Sequence, residues 1–504
     1  MKKIALFLSI VVAAIACNKV DPVTPPEFDF ANPDVLIPYQ GSEDGNLKLE
    51  FNVNVDWTAE LDQTYDWVTL SGETSGPAGA GYVTVVAQPN KDAAQRTAVI
   101  TVTAGVSVLT FDVVQEGYPA LSIDPQEVQF DAAGGSQDVT VNANVEYVIT
   151  VAENGWLTYE YNAETGVYTL TAVANSGMSP RSIEITLSNN VDGVSETIVV
   201  SQTGRASVLW EKNLADYSQI TLASPIHLAY KDGLLGLSVG NAIHALKADD
   251  GAYQQAIALP EGFVVGSFTN DDAGNIVLAS NIDAYGSGDV YAITSLTDLT
   301  PVKVATLSNA ALYRPAGNLR AGGDVTKNGV VTMYVDYEHY WIGCDIVDGV
   351  AGKSSFQAIS RLEGAAATWE PSAGCAAPLG SKLADGVLAT FYTQPALVSN
   401  ASGDWAQVGA AIYTGNDNNC AISEAVYGDT HYAAVGVGSY FNYSASGAYL
   451  YDLTTNEVVY SYSVAGDLNG AGAAADVLLV SASDVLYMYV ADLNRGKLAC
   501  IEIK

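Results

Sequence analysis

Part of this chain is written twice, and that repeat limits its fold more than any other feature. Residues 28–118 and 119–205 can be laid over each other. Leu49-Glu50-Phe51-Asn52-Val53-Asn54-Val55-Asp56-Trp57 matches Val139-Thr140-Val141-Asn142-Ala143-Asn144-Val145-Glu146-Tyr147, and Asp66-Trp67-Val68 matches Gly155-Trp156-Leu157. Arg96 to Val102 matches Arg181 to Leu187, and each copy closes alike, with Val114-Gln115-Glu116-Gly117 and Ser201-Gln202-Thr203-Gly204. Apolar residues alternate in short runs broken by Asn, Gly and Pro, which predicts about seven strands in ~90 residues. That is the size and pattern of an immunoglobulin-like sandwich. Trp57, Trp67 and Trp156 stand in strand contexts and are assigned to cores.

The Trp-Thr-Ala-Glu opening at Trp57, the Asp66-Trp67-Val68 step, the Asn-then-Arg segment and the closing Val-Val-Gln-x-Gly resemble the BACON domain. The second copy departs from the pattern at Tyr147, where the first has Trp57. The resemblance covers about a third of the chain. It implies a module found mostly in Bacteroidetes, near the N-terminus of polysaccharide-degrading and mucin-associated proteins. Carbohydrate or mucin binding is suggested for that family, and in several architectures the module is a spacer. Neither copy shows an exposed aromatic row in its sequence, so both are expected to act as stalk first and binder second.

From Val208 to Lys504 a looser unit of ~45 residues recurs, the spacing of β-propeller blades. Strand–turn–strand pieces such as Ala242 to Gly251, Val290-Tyr291-Ala292-Ile293 and Ala448 to Leu453 place units near 226–260, 262–308, 316–365, 375–415, 420–465 and 471–504. The last has room for three strands, and Val208-Leu209-Trp210-Glu211 could supply the fourth and close the ring. Six blades are expected, with seven as the alternative. The fold class is therefore all-β, two sandwiches (28–118, 119–205) followed by a propeller (206–504).

Met1-Lys2-Lys3 and the thirteen apolar residues Ile4 to Ala16 form a basic head and an apolar core. Thirteen is short of the ~20 residues a membrane span needs and fits a signal peptide. Ala14-Ile15-Ala16-Cys17 resembles a bacterial lipobox, with Ala14 in place of the usual Leu. The resemblance implies that 1–16 are removed and that Cys17 carries acyl chains, two or more of which anchor firmly. Residues 17–27, with Pro22, Pro25 and Pro26, read as a semi-rigid tether. An outer-membrane lipoprotein facing the cell surface is expected, with the periplasm as the alternative.

Charge excludes some partners. Lys and Arg number 21 against 56 Asp and Glu, a net charge of −35. Neutralising phosphates takes cations this chain lacks, which argues against nucleic acid. Catalytic patterns are also missing from the sequence. Arg314, Arg320, Arg361 and Arg495 are not accompanied by sialidase repeats, and His227, His244, His339 and His431 show no paired metal-ligand spacing. Asp336, Glu338, Asp345 and Glu370 could serve a glycosidase, but acids are abundant everywhere in this chain. The Asp271 to Asn275 turn lacks EF-hand spacing. No cofactor, metal or catalytic residue is assigned. Cys344, Cys375, Cys420 and Cys500 could form two disulfides in three connectivities or remain buried thiols.

Aromatic residues in turn-rich segments give the best candidate site. Tyr340, Trp341, Trp369, Trp405, Tyr440 and Tyr443 combine rings with nearby Asp and Asn acceptors, which is what stacking on a sugar requires. The expected role is non-catalytic recognition of a glycan or mucin. The alternatives are a protein-binding subunit of a surface complex and a glycan-cleaving enzyme.

Overall fold

The computed structural model describes residues 25–30, 35–42, 47–190, 193–280, 287–297, 299–308, 315–335, 340–358, 374–391, 397–399, 405–407, 417–439, 446–471, 474–482 and 484–504. The chain is all-β. Among the described residues the helical pieces are two short 3-10 turns, Leu214–Asp216 and Leu383–Asp385.

Each repeat folds as a two-sheet, immunoglobulin-like sandwich. In the first, Phe28–Phe30, Lys48–Val53, Gly79–Ala87 and Val68–Ser71 form one sheet. Val35–Ile37, Ser107–Gln115, Arg96–Ala104, Trp57–Leu61 and Ser75–Gly76 form the other. In the second, Leu121–Asp124, Gly135–Ala143, Val167–Ala172 and Leu157–Asn162 face Glu127–Phe130, Val194–Gln202, Arg181–Asn189 and Val148–Val151. One short strand in each pairs in parallel with the closing strand. Side chains alternate along Lys48–Val53, so Leu49, Phe51 and Val53 turn inward against Ile100, Val102 and Val113. Val139 and Leu170 meet Ile185, Leu187 and Val200 in the same way.

The repeated motif residues form one device, built twice. Arg96 lies over Trp67 at 4.6 Å and donates to Gln115 Oε1 (2.8 Å) and Gln88 O (2.8 Å). Arg181 lies over Trp156 at 4.7 Å and donates to Gln202 Oε1 (2.9 Å) and Val173 O (2.9 Å). Both glutamines are fully buried and donate to strand-end carbonyls. Asn90 and Asn175, also buried, donate to the carbonyls of Glu116 and Thr203. The closing glycines follow from this grip on the outgoing chain. A Cβ on Gly117 would stand 2.0 Å from Ala93 O, and one on Gly204 would stand 2.1 Å from Met178 O. Only a residue without a side chain passes these loops.

The same loops touch the next unit. Asn144 of the second sandwich donates to Ala93 O (2.8 Å) and Tyr118 O (2.9 Å). Met178 packs in one buried cluster with Leu486 and Ile503. Arg205 and Lys504 add a backbone bond at the second joint.

Among the described residues six antiparallel groups of strands follow, the third and fourth joined by one parallel pair into a nine-stranded sheet. The first contains Ile226–Lys231, Leu234–Val239, Ala242–Lys247 and Tyr253–Ile257, and the second Ser267–Asn270, Ile276–Ser280, Ser287–Ile293 and Val302–Ser308. The third contains Pro315–Gly323, Gly329–Val335 and Tyr340–Val347, with Val350–Ala351 and Ser355–Ala358 against the last strand. The fourth contains Gly374–Pro378, Val387–Phe391, Leu397–Ser399 and Trp405–Gln407, joined to the third through Asn318 and Cys375. The fifth contains Asp417–Tyr427, Thr430–Ser439, Gly447–Asp452 and Glu457–Ser463. In the sixth, Ala475–Ala482, Val485–Asp492 and Lys497–Ile503 are completed by Ala206–Asn213, which pairs with the last strand of the chain. The expected fourth strand at Val208 to Glu211 lies within that segment.

The first strands of the six sheets touch in succession, and that of the sixth touches that of the first. The apolar clusters follow the same order. Phe268 and Ile243 join sheets one and two, Val277 and Leu319 two and three, and Trp341 and Ala376 three and four. Leu388 and Ile422 join four and five, Leu450 and Met488 five and six, and Tyr489 and Leu228 six and one. An open row of six sheets has five such interfaces. This succession has six.

Candidate functional site

The first strands all contribute one end to a single pocket of about 580 Å³. Tyr230, Asn270, Arg320, Pro378, Glu424 and Val480 come one from each sheet, and all lie toward the C-terminal ends of those strands. The walls mix Leu478, Leu479 and Leu379 with Asp271, Asp272, Ser423, Glu424 and His431.

Beside it lies a buried polar pin. Arg320, only 4% exposed, donates to Asp476, to Ile422 O and to Leu319 O (2.8 Å). Asp476, only 1% exposed, also accepts from Leu228 N (2.8 Å) and Val477 N (2.9 Å). These bonds tie the first, third, fifth and sixth sheets together. His227 Nδ1 lies 3.9 Å from Asp476. Burial pushes the His227 pKa down to about 4, so its ring is neutral at pH 7. The guanidinium is occupied by protein acceptors and is therefore poorly placed to seize an anionic ligand.

The pocket rim is acidic and ordered by turns. Gly428 at φ 61° allows a two-residue hairpin between Tyr427 and Thr430, which sets His431 opposite Val426. Glu424, two residues earlier on the same face, then bonds His431 Nε2. That bond raises the His431 pKa against the opposing effect of burial. The turn at Asp271 clasps the third sheet. Asp271 accepts from Asn275 N (2.7 Å), Asn275 Nδ2 (2.8 Å) and Val325 N (2.9 Å), while Asp272 accepts from Gly323 N (2.6 Å). Desolvation, reinforced by the charges of Glu424 and Asp271, pushes Asp272 up to about 6. Such a mouth offers carboxylates, hydroxyls and amides to a hydroxyl-rich ligand.

The sequence-derived candidates are placed differently. Trp341 is 2% exposed and enclosed by Tyr334, Ala376, Val387 and Ala389 between the third and fourth sheets. Its ring presents no face to a sugar, which corrects the expectation for that residue. Tyr340 pairs with Val335, and Trp405 with Ser399, as strand residues. Trp369, Tyr440, Tyr443 and Cys17 lie outside the described residues, as do Asp336, Glu338, His339 and Glu370. Asp345 accepts from Leu383 N (2.7 Å), a structural bond. Trp57, Trp67 and Trp156 are buried in the sandwich cores. Cys344, Cys375 and Cys500 are free and buried, and burial raises the thiol of Cys344 to about 11 and that of Cys500 to about 12. Cys420 pairs with Val437 as a strand residue.

His431 and the turn holding Asp272 are visible in the sequence only separately, and Glu424 not at all, because the spacing of the three shows no motif. The Tyr427-Gly428-Asp429-Thr430 turn was the one readable signal, since a tight hairpin there brings Glu424 and His431 together.

Residues 55–116 match the BACON family model ("Putative binding domain, N-terminal"), and residues 120–210 match the viral BACON domain model. The chain carries two BACON domains. No curated protein matches the chain. Among solved structures, an endo-fucoidan hydrolase of glycoside hydrolase family 107 is 13% identical at a TM-score of 0.21, over 36% of this chain and 34% of that one. A tandem of titin immunoglobulin domains is 10% identical at 0.23, over 36% of this chain and 99% of that one. A three-domain titin fragment is 11% identical at 0.26, over 55% and 96%. The chain spans about a third of the length of the fucoidan hydrolases it matches. At such TM-scores these likenesses carry no argument.

Proposed function

We propose that this chain is a lipid-anchored recognition protein that binds a glycan without cleaving it. In this reading the six sheets are the blades of a β-propeller, the BACON domains form its stalk, and Cys17 holds the assembly on the outer membrane, facing the cell surface. The pocket carries the proposal: six strands converge on one mouth lined by Asn270, Asp272, Ser423 and Glu424 beside leucines. Polar groups that fix orientation among apolar walls are the usual makeup of a small-ligand site. The high negative charge favours a neutral or cationic sugar over a sulfated or uronic one.

The full chain is expected to be retarded in native gels containing mucin, β-glucan, galactomannan or arabinoxylan. Passage through all four unretarded would overturn the reading. Cys17→Ala is expected to move the protein from the membrane to the soluble fraction; undiminished membrane retention would refute lipidation.

One observation favours hydrolysis as a second reading. Asp272, raised to about 6 beside Glu424, has the protonation behaviour of a general acid. Hydrolysis predicts reducing ends released from one of these polysaccharides, and their loss in Asp272→Asn.

A further inference from the structure

The two BACON domains end their sheets alike except at one edge. In the first, Ser75–Gly76 pairs antiparallel with Trp57–Leu61, and Ala59 N donates to Thr74 O (2.8 Å) just beyond it. In the second, Val148–Val151 takes the place of Trp57–Leu61, with Ile149 opposite Leu187 as Ala59 is opposite Val102. The stretch that supplies the covering strand, 72–78, is replaced there by a turn, 163–166. Among the described residues nothing pairs with the outer edge of Val148–Val151. Ile149, in the place of Ala59, turns its N–H toward that open edge.

This edge carries none of the usual guards. The strand holds neither Lys nor Pro, and its pairing with Arg181–Asn189 runs without a bulge. Val148 is 57% exposed. Beside the edge lies a groove of about 440 Å³ lined by Thr150, Ala152, Ser182, Glu184, Thr186 and Val199, the last 41% exposed. The surroundings are acidic. Glu146, Glu153 and Glu184 are exposed, while the domain's two cations, Arg181 and Arg205, are engaged with Gln202 and with Lys504 O.

We infer that the Val148–Val151 edge receives an extended, basic segment of another protein as an added antiparallel strand. The first domain shows the bound arrangement, with its own Ser75–Gly76 in the partner's place. Main-chain bonds to the edge would hold the segment, and alternate side chains would enter the groove. Cationic ends would meet Glu146, Glu153 and Glu184. A second copy of this chain is a poorer occupant, because two-fold antiparallel pairing would bring Glu146 of each copy beside Glu153 of the other. The site is separate from the pocket of the ring and does not depend on a glycan binding there.

The test adds the end-blocked peptide Lys-Val-Thr-Val-Thr-Val-Lys to the full chain and follows binding by fluorescence anisotropy and amide exchange. Binding is expected with a Kd below ~1 mM, with exchange slowed at 148–151 and unchanged at 57–61, where the edge is already paired. Glu153→Lys/Glu184→Lys should bind it roughly tenfold more weakly, melt like the parent, and accept the same peptide with Glu at both ends. Should that variant melt early, Glu184→Gln alone is expected to weaken binding roughly threefold. Proline at the centre of the peptide should abolish binding, since it removes a ladder donor. Unslowed exchange at 148–151 with ~1 mM peptide overturns the proposal, as does equal binding of the Glu-ended peptide by the parent chain. Protection of 148–151 without peptide that disappears on dilution would assign the edge to a second copy and overturn it too.

Discussion

The sandwiches and the ring solve the same problem, holding β-sheets in one arrangement, with opposite uses of polar groups. Each sandwich has its own local clamp: Arg96 with Gln115 and Trp67, and Arg181 with Gln202 and Trp156. The ring has one shared pin, Arg320 with Asp476, whose partners stand 156 residues apart. A local clamp can be copied with the module. A shared pin exists only once the last sheet has met the first. Damage to the pin should therefore affect every sheet it ties, and damage to a clamp should stay within its domain.

The largest expected effect tests that difference at the pin. Removing one member of a buried pair leaves the other charged and unpaired, at a cost of about 3–5 kcal/mol. Arg320→Ala should lower the melting temperature of the ring by calorimetry and leave a sandwich transition near its parental position. A uniform fall of all transitions would show that the joints at Asn144 and Met178 couple the three units into one cooperative body.

The clamps come next. Arg96→Ala and Arg181→Ala each strip a buried glutamine of a partner and remove a stacked cation, a loss of about 1–3 kcal/mol. The two sites lie in different domains, so their effects should add to within about 0.5 kcal/mol in urea titrations. A clear departure from additivity would break the picture of independent modules.

The same contrast explains what was legible in the sequence. Arg96, Gln115 and Gly117 could be matched to Arg181, Gln202 and Gly204 because each repeat contains the whole device. The pairing of the Val208 to Glu211 segment with the last strand of the chain was readable because strand pairing follows local alternation. Asp476, Arg320 and His227 were not readable as a group, since the ring alone brings them together. Trp341 misled for a related reason. Its neighbours Glu338 and Tyr340 suggest an exposed loop, but the ring turns its indole against Ala376 and Val387 of the next sheet.

The smallest expected effect separates the buried pin from a polar pair at the pocket rim. His431 is 29% exposed and Glu424 11%, so solvent screens their attraction more than that of Arg320 and Asp476. Glu424 holds the His431 pKa above its ordinary 6.5. The folded chain thus binds a proton more tightly than the unfolded one, and this contribution is complete below pH 6.5 and lost as pH rises through the folded value. Glu424→Gln should therefore destabilise the chain by up to about 1 kcal/mol at pH 5 and by nothing measurable at pH 9. In an NMR titration the His431 resonance should shift at a lower pH in that variant. An equal loss at both pH values would mean that Glu424 acts through packing rather than charge, and the rim would then resemble the sandwich clamps more than a pair open to solvent.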